Sequence, residues 1–84
     1  YTLFDGAAEL LEAEALETST LVGKPLHDFD FGPGVRIGAI VRGDSVIMPT
    51  GNSQVEAGDF VIVFALAAQV RQVEQMFRVS LDFF

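Results

Sequence analysis

Residues 35–49 constrain the fold more than any other segment, because two runs rich in β-branched residues flank a Gly-Asp pair. Gly43 can adopt a positive φ angle without steric cost, so Gly43-Asp44 predicts a two-residue turn of type I′ or II′. Such a turn places Arg42 opposite Ser45 and fixes the register of every later pair. The segment is therefore predicted to form a β-hairpin.

Side chains alternate across a strand, so this register predicts two different faces for the hairpin. One face is uniformly apolar and is expected to face the core: Val35, Ile37, Ala39, Val41, Val46 and Met48. The other face mixes aliphatic side chains with two arginines: Arg36, Gly38, Ile40, Arg42, Ser45, Ile47 and Pro49. That mixture suits a ligand or partner that is partly apolar and partly anionic. The commoner alternative is an exposed sheet face with two solvated arginines, since isolated surface isoleucines are normal.

Length and charge narrow the classes of protein that the chain can be. Its 84 residues allow one domain, which buries only about 60% of its surface. We therefore expect a homodimer or an attached neighbouring domain. The formal net charge of −7 argues against nucleic acid and against an anionic membrane surface as partners. The absence of cysteine excludes disulfides, thiolate zinc sites and cysteine nucleophiles, and is compatible with a cytoplasmic protein.

The first third of the chain is predicted to contain a linker, one strand and one short helix. Residues 1–8 have the character of a linker, and the missing initial Met and basic leader indicate a fragment of a longer protein. Residues 11–16 carry strong helix formers but alternate with period two, so composition and pattern leave helix and strand both open. Thr18-Ser19-Thr20 supplies capping residues for a short helix within residues 21–29.

The last third is predicted to contain a central strand and a helix. Residues 60–65 are apolar at every position, which is typical of a strand covered on both faces. Residues 67–77 switch to helical spacing, with Val70, Val73 and Phe77 on one stripe. The predicted class is α+β, with a small, mostly antiparallel sheet, a central hairpin and two packed helices. The predicted domain covers residues 9–77, and residues 78–84 form a C-terminal tail.

No group of residues predicts catalysis or metal binding. The glycines between Gly32 and Gly38 precede a strand, whereas a dinucleotide-binding loop follows one. His27 is the only histidine and has no second ligand nearby in sequence. Glu9, Glu12, Glu14 and Glu17 lack the shaped loop of a calcium site, so a solvated acidic edge is the better interpretation. We therefore expect no enzyme, no catalytic residue and no metal ligand.

Four segments taken in order resemble the TrkA-C domain, also called RCK-C: Leu21-Val-Gly-Lys-Pro-Leu26, Ile37-Gly-Ala-Ile-Val-Arg-Gly43, Pro49, and Glu56-Ala-Gly-Asp-Phe-Val-Ile-Val-Phe64. That module is the C-terminal half of regulatory subunits of bacterial potassium channels and transporters. The resemblance covers residues 9–77 and implies a strand at residues 11–16. It also implies a dimerising regulatory domain at the cytoplasmic side of the membrane, which passes a ligand state to a potassium transporter.

The resemblance also implies where ligands bind. NAD(H) or ATP would bind the nucleotide-binding domains of the same polypeptide, which this chain lacks, so no cofactor is expected here. Some relatives bind cyclic di-AMP across a dimer interface, through a strand corresponding to Ile40 and Arg42 and a proline like Pro49. Together with the mixed face, this selects a set of ligand or dimer-interface residues: Arg36, Ile40, Arg42, Ile47 and Pro49. The alternatives are a passive assembly module and the same domain in an organic-anion transporter.

Overall fold

The computed structural model describes residues 2–77 as one five-stranded antiparallel sheet with a single α-helix against one side. The strands are β1 (Thr2–Leu3), β2 (Ala8–Glu14), β3 (Val35–Arg42), β4 (Ser45–Ile47) and β5 (Phe60–Leu66), and the helix is α1 (Val70–Met76). Single turns of 3-10 helix occur at Phe4–Gly6, Leu26–Asp28 and Ala67–Gln69. The strand order across the sheet is β1-β2-β5-β3-β4.

The predicted α+β class and the central strand are confirmed. β5 pairs along its whole length with β2 and, on its other side, with β3. For residues 11–16 the sequence left helix and strand both possible. The structure has a strand there as far as Glu14, because β2 pairs in register with β5 from Ala8 opposite Leu66 to Glu14 opposite Phe60. The β3–β4 hairpin lies at one side of the sheet rather than in its centre.

Two predicted elements differ from the observed ones. The short helix expected within residues 21–29 is only the 3-10 turn Leu26–Asp28. Gly23 has a φ angle of +92° and Pro25 is extended, so the chain has no room for a longer helix there. The predicted linker contributes β1, whose Thr2 pairs with Glu9 across a tight turn. The predicted tail at residues 78–84 lies outside the described residues.

The hairpin turn forms as predicted, but the assignment of its faces is wrong beyond Gly38. Gly43 has a φ angle of +59°, as the first central position of a type II′ turn requires. The β3–β5 register shifts between Ile37 and Ala39, which is a β-bulge that reverses the alternation of side chains. Ile40 consequently enters the core with 0% exposure, whereas Val46 is 66% exposed.

We call the side of the sheet that packs against α1 the inner face and the opposite side the outer face. Val61, Val63 and Ala65 of β5 are buried on the inner face, together with Val73 and Phe77 from the helical segment. The outer face is defined by the residues that alternate with these and pair across the strands: Leu10, Glu12, Glu14, Arg36, Ala39, Val41, Val46, Phe60, Ile62, Phe64 and Leu66. The hydrophobic core therefore lies on one side of the sheet.

Candidate ligand-binding site

An open cleft of about 390 Å³ lies at the end of the sheet where β3 begins. Three segments form its walls: the Leu26–Asp28 turn with the residues that follow it, the first residues of β3, and the loop after β4. The principal lining residues are Leu26, Phe29, Phe31, Arg36, Ile37 and Pro49. Its volume falls within the range of small-molecule sites.

Backbone hydrogen bonds hold two of the walls together. The amide of His27 donates to the carbonyl of Gly51 at 2.9 Å, and the amide of Leu26 donates to that of Ser53 at 2.8 Å. The amide of Thr50 also donates to the Ser53 hydroxyl at 2.9 Å, which closes the loop on itself. The loop beside Pro49 is therefore fixed against the 3-10 turn.

Two phenylalanines form an aromatic wall of the cleft. The rings of Phe29 and Phe31 are stacked, with centroids 5.8 Å apart and planes inclined by 24°. Both side chains are partly buried against the core and also line the cleft. Stacked rings offer a flat apolar surface on which a planar ligand group can pack. These two residues were not predicted from the sequence, although they directly precede the Gly32-Pro33-Gly34 turn that leads into β3.

Positive charge at the cleft comes from Arg36. This residue is exposed, and its Nη1 atom donates to the carbonyl of Val35 at 3.0 Å. Within residues 2–77 no carboxylate forms an ion pair with it. His27 lines the rim, where its Nδ1 atom is 3.2 Å from the Asp28 carboxylate. A guanidinium without a carboxylate partner can bind an anionic group through paired N–H donors.

Arg42 belongs instead to an intramolecular network at the other end of β3. Its Nε and Nη2 atoms donate to the Asp59 carboxylate at 3.0 and 2.8 Å, and Nη2 also donates to the Gln54 carbonyl at 3.0 Å. Nη1 lies 3.3 Å from the Glu56 carboxylate. The Asp59 side chain is 2% exposed and accepts a further bond from the Glu56 amide. Arg42 therefore fastens the loop before β5 to the end of β3.

The ion pair shifts both pKa values toward the charged forms. The hydrogen bond from Arg42 holds the pKa of Asp59 below its usual range, with help from the Glu56 amide and against the opposing effect of burial. The same bond raises the pKa of Arg42, although burial acts in the opposite direction. The pair is ionised at neutral pH, and the Arg42 side chain has a structural role here.

The structure brings together two of the five predicted site residues. Arg36 and Pro49 line the same cleft. Ile40 is buried and pairs with the half-buried Ile47 across β3 and β4 on the inner face. Arg42 lies in the network with Asp59. Because one bulge reversed the alternation, residues that the linear pattern placed on a single face lie in three environments.

Across residues 2–77, no group of three or more His, Asp or Glu side chains is arranged to hold a metal ion. In the same part of the chain, no helix is both long and apolar enough to span a bilayer.

The fold and the cleft define a small antiparallel α+β domain with an open site of ligand size. The chain belongs to the TrkA-C domain family, whose family model matches residues 10–78. Three relatives are each described as a Trk system potassium uptake protein TrkA or a homolog. The sequence is 57% identical over 84 residues to the protein from Azorhizobium caulinodans and 41% identical over 88 residues to that from Halomonas elongata, covering 100% of this chain in both cases. It is 41% identical over 71 residues, or 84% of this chain, to homolog 1 from Methanosarcina mazei.

The chain spans only 18%, 19% and 16% of the lengths of these relatives. Among solved structures, one described as an RCK domain with cda matches with a TM-score of 0.65 and 27% identity. That match covers 82% of this chain and 97% of the other. The family prediction is therefore confirmed.

Proposed function

We propose that the chain is the C-terminal regulatory domain of a TrkA-type subunit, which controls potassium uptake through a Trk-type membrane transporter. The observation that carries this proposal is the 57% identity, along the entire chain, to a Trk system potassium uptake protein. In this proposal the subunit is cytoplasmic at the inner face of the plasma membrane. Its nucleotide-binding domains lie elsewhere in the same polypeptide, and the domain acts as a homodimer.

The domain senses a small ligand in the cleft. Arg36 offers a guanidinium to an anionic group, while Phe29 and Phe31 offer a flat apolar wall to a planar group. A nucleotide-like molecule combines both features, so cyclic di-AMP is the first ligand to test, with ATP and NAD for comparison. The similarity to an RCK domain solved with cda supports testing this domain for ligand binding.

Titration calorimetry of the 84-residue chain tests the ligand proposal. We expect binding of cyclic di-AMP, and at least about tenfold weaker binding by Arg36→Gln, because a charge-assisted hydrogen bond is lost. Arg71→Gln is the matched control, since Arg71 is exposed on α1 and does not line the cleft. Absence of heat with all three nucleotides would contradict ligand sensing.

A domain exchange tests the transport role. The matching C-terminal segment of the Azorhizobium relative is replaced by this chain, and rubidium uptake is measured in cells that lack their own regulator. We expect uptake close to that of the unmodified relative, since the two segments share 57% of their residues. A stably expressed fusion without uptake would overturn the regulatory role. Normal uptake without any ligand binding would instead identify a passive assembly module.

A further inference from the structure

One edge of the sheet is open along the second half of β2. β1 pairs only with the first two residues of β2, so residues 11–14 have β5 on one side, and no strand among the described residues lies on the other. The amide of Ala15 donates to the Asp59 carbonyl at 2.7 Å, toward the chain that leads into β5. Because backbone groups alternate in direction along a strand, those of Glu12 and Glu14 point to the open side. An edge of this kind can accept a further strand.

An apolar groove of about 230 Å³ lies directly beside this open edge, between β2 and α1. Leu11 and Ala13 form its β2 side, and Val73 and Phe77 form the side of the helical segment. All four side chains pack with the core, but Leu11 and Ala13 remain partly exposed. A strand added at the edge therefore meets an apolar surface on its inner side.

The rim of the groove and the outer side of the open edge are acidic. Glu12 and Glu74 line the groove, and Glu14 follows Glu12 on the outer side of β2. These three side chains are exposed, and none of them forms an ion pair with another residue of the described chain. Opposite charges on neighbouring strands attract, whereas like charges repel. The edge therefore favours a strand with basic side chains on its outer side and apolar side chains on its inner side.

From this arrangement we infer that the open edge of β2 binds an extended segment of the membrane transporter, in which apolar and basic side chains alternate. The inference rests on the proposed function, which makes a Trk-type transporter the partner of the subunit. Cytoplasmic loops of membrane proteins are rich in lysine and arginine, so the transporter presents the complementary charge on the side where the subunit lies. The net charge of −7 adds long-range attraction to such a loop. Backbone hydrogen bonds supply affinity, and the groove selects the apolar positions of the segment.

Fluorescence anisotropy of the 84-residue chain with a labelled peptide of alternating valine and lysine tests the binding mode. We expect this peptide to bind at least about tenfold more tightly than a peptide of alternating valine and glutamate. Glu14→Pro should weaken binding of the lysine peptide by more than about tenfold, because proline removes the N–H that faces the open side. Glu14→Gln removes only the charge and should weaken binding less. Asp44→Asn in the exposed hairpin turn is the control for net charge and should leave the affinity nearly unchanged.

Three results of this measurement would overturn the inference, once circular dichroism has verified that each variant is folded. Equal affinities of the Glu14→Pro and Glu14→Gln variants would exclude strand addition. An equal loss in Asp44→Asn would reduce the binding to an effect of net charge. Tighter peptide binding after removal of residues 78–84 would assign the groove to that segment instead.

Photo-cross-linking in the domain-exchange fusion tests the partner. A photoreactive amino acid replaces Glu14, and the product is probed with an antibody against the Trk membrane subunit of the same cells. We expect a cross-link to that subunit, and none when the photoreactive amino acid replaces Asp44. Normal rubidium uptake without a cross-link from position 14 would overturn the inference and leave the regulatory role intact. An unlabelled fusion without uptake contradicts the proposed function instead, so the two failures are distinguishable.

Discussion

Both faces of strand β5 are apolar, yet only one of them is buried. On β5 the inner Val61, Val63 and Ala65 are at most 1% exposed, whereas the outer Phe60 and Leu66 are more than 40% exposed. Within residues 2–77, the core and α1 seal only the inner side. The comparison shows that apolar residue types alone do not determine which face of a strand forms the core, because the core cluster and α1 cover only the inner face among residues 2–77.

Adjacent substitutions on β5 test this difference most strongly. Val63→Asp should abolish cooperative folding, since an unpaired buried charge costs several kcal/mol against a total stability of about 5–15 kcal/mol. Ile62→Asp, one residue away on the outer face, should keep a cooperative thermal transition. Circular dichroism melts compare the two variants. If both unfolded equally, the outer face would be part of the core.

A smaller loss of stability is expected at the Arg42–Asp59 pair, which fastens the loop before β5 to the end of β3. Asp59→Ala removes the acceptor of the Arg42 fork and of the Glu56 amide, and should cost about 1–3 kcal/mol of unfolding free energy. Urea denaturation provides the measurement. Asp44→Ala is the matched control in the exposed hairpin turn, where the change should stay within about 0.5 kcal/mol. Equal effects would show that the pair contributes nothing specific.

The Arg42–Asp59 pair also predicts how the unfolding free energy depends on pH. Because the folded-state pKa of Asp59 is lowered, its contribution is fully present above about pH 4 and is lost as the pH falls through the folded-state value. Asp59→Asn should therefore lose less unfolding free energy between pH 5 and about pH 2 than the unmodified chain. Urea denaturation at each pH gives the two profiles, and parallel profiles would contradict the shift.

The smallest effect is expected at the bulge that reverses the faces. A Cβ atom on Gly38 would meet the carbonyl oxygen of Ile62 at 3.5 Å, which is an ordinary contact, so Gly38→Ala should change stability by less than about 1 kcal/mol. Gly43→Ala, at a φ angle of +59°, should cost more because the turn requires a left-handed conformation. Thermal melts compare the loss of stability in the two variants. The reverse order would mean that the bulge depends on glycine.

Local sequence signals were sufficient to predict the hairpin turn, the central strand and the helical segment. Gly43-Asp44 specifies the hairpin through its φ angle, and the apolar run of β5 specifies a central position. The bulge could not be anticipated, because a one-residue shift depends on how β3 meets β5 rather than on either sequence alone. That shift moved Ile40 into the core and exposed Val46. The cleft itself was not predicted. Arg36 and Pro49, which line it, were selected as residues of one hairpin face, whereas its aromatic wall comes from Phe29 and Phe31 in the segment just before β3.

The two backbone hydrogen bonds between the cleft walls also make the rate at which the cleft opens measurable. The hydrogens of the Leu26 and His27 amides can exchange with solvent only when the bonds to Ser53 and Gly51 break. The exchange rates of these two hydrogens therefore measure how often the loop beside Pro49 separates from the 3-10 turn. Any molecule that occupies the cleft and contacts both walls must slow this opening, so two amides would record occupancy without labelling the ligand.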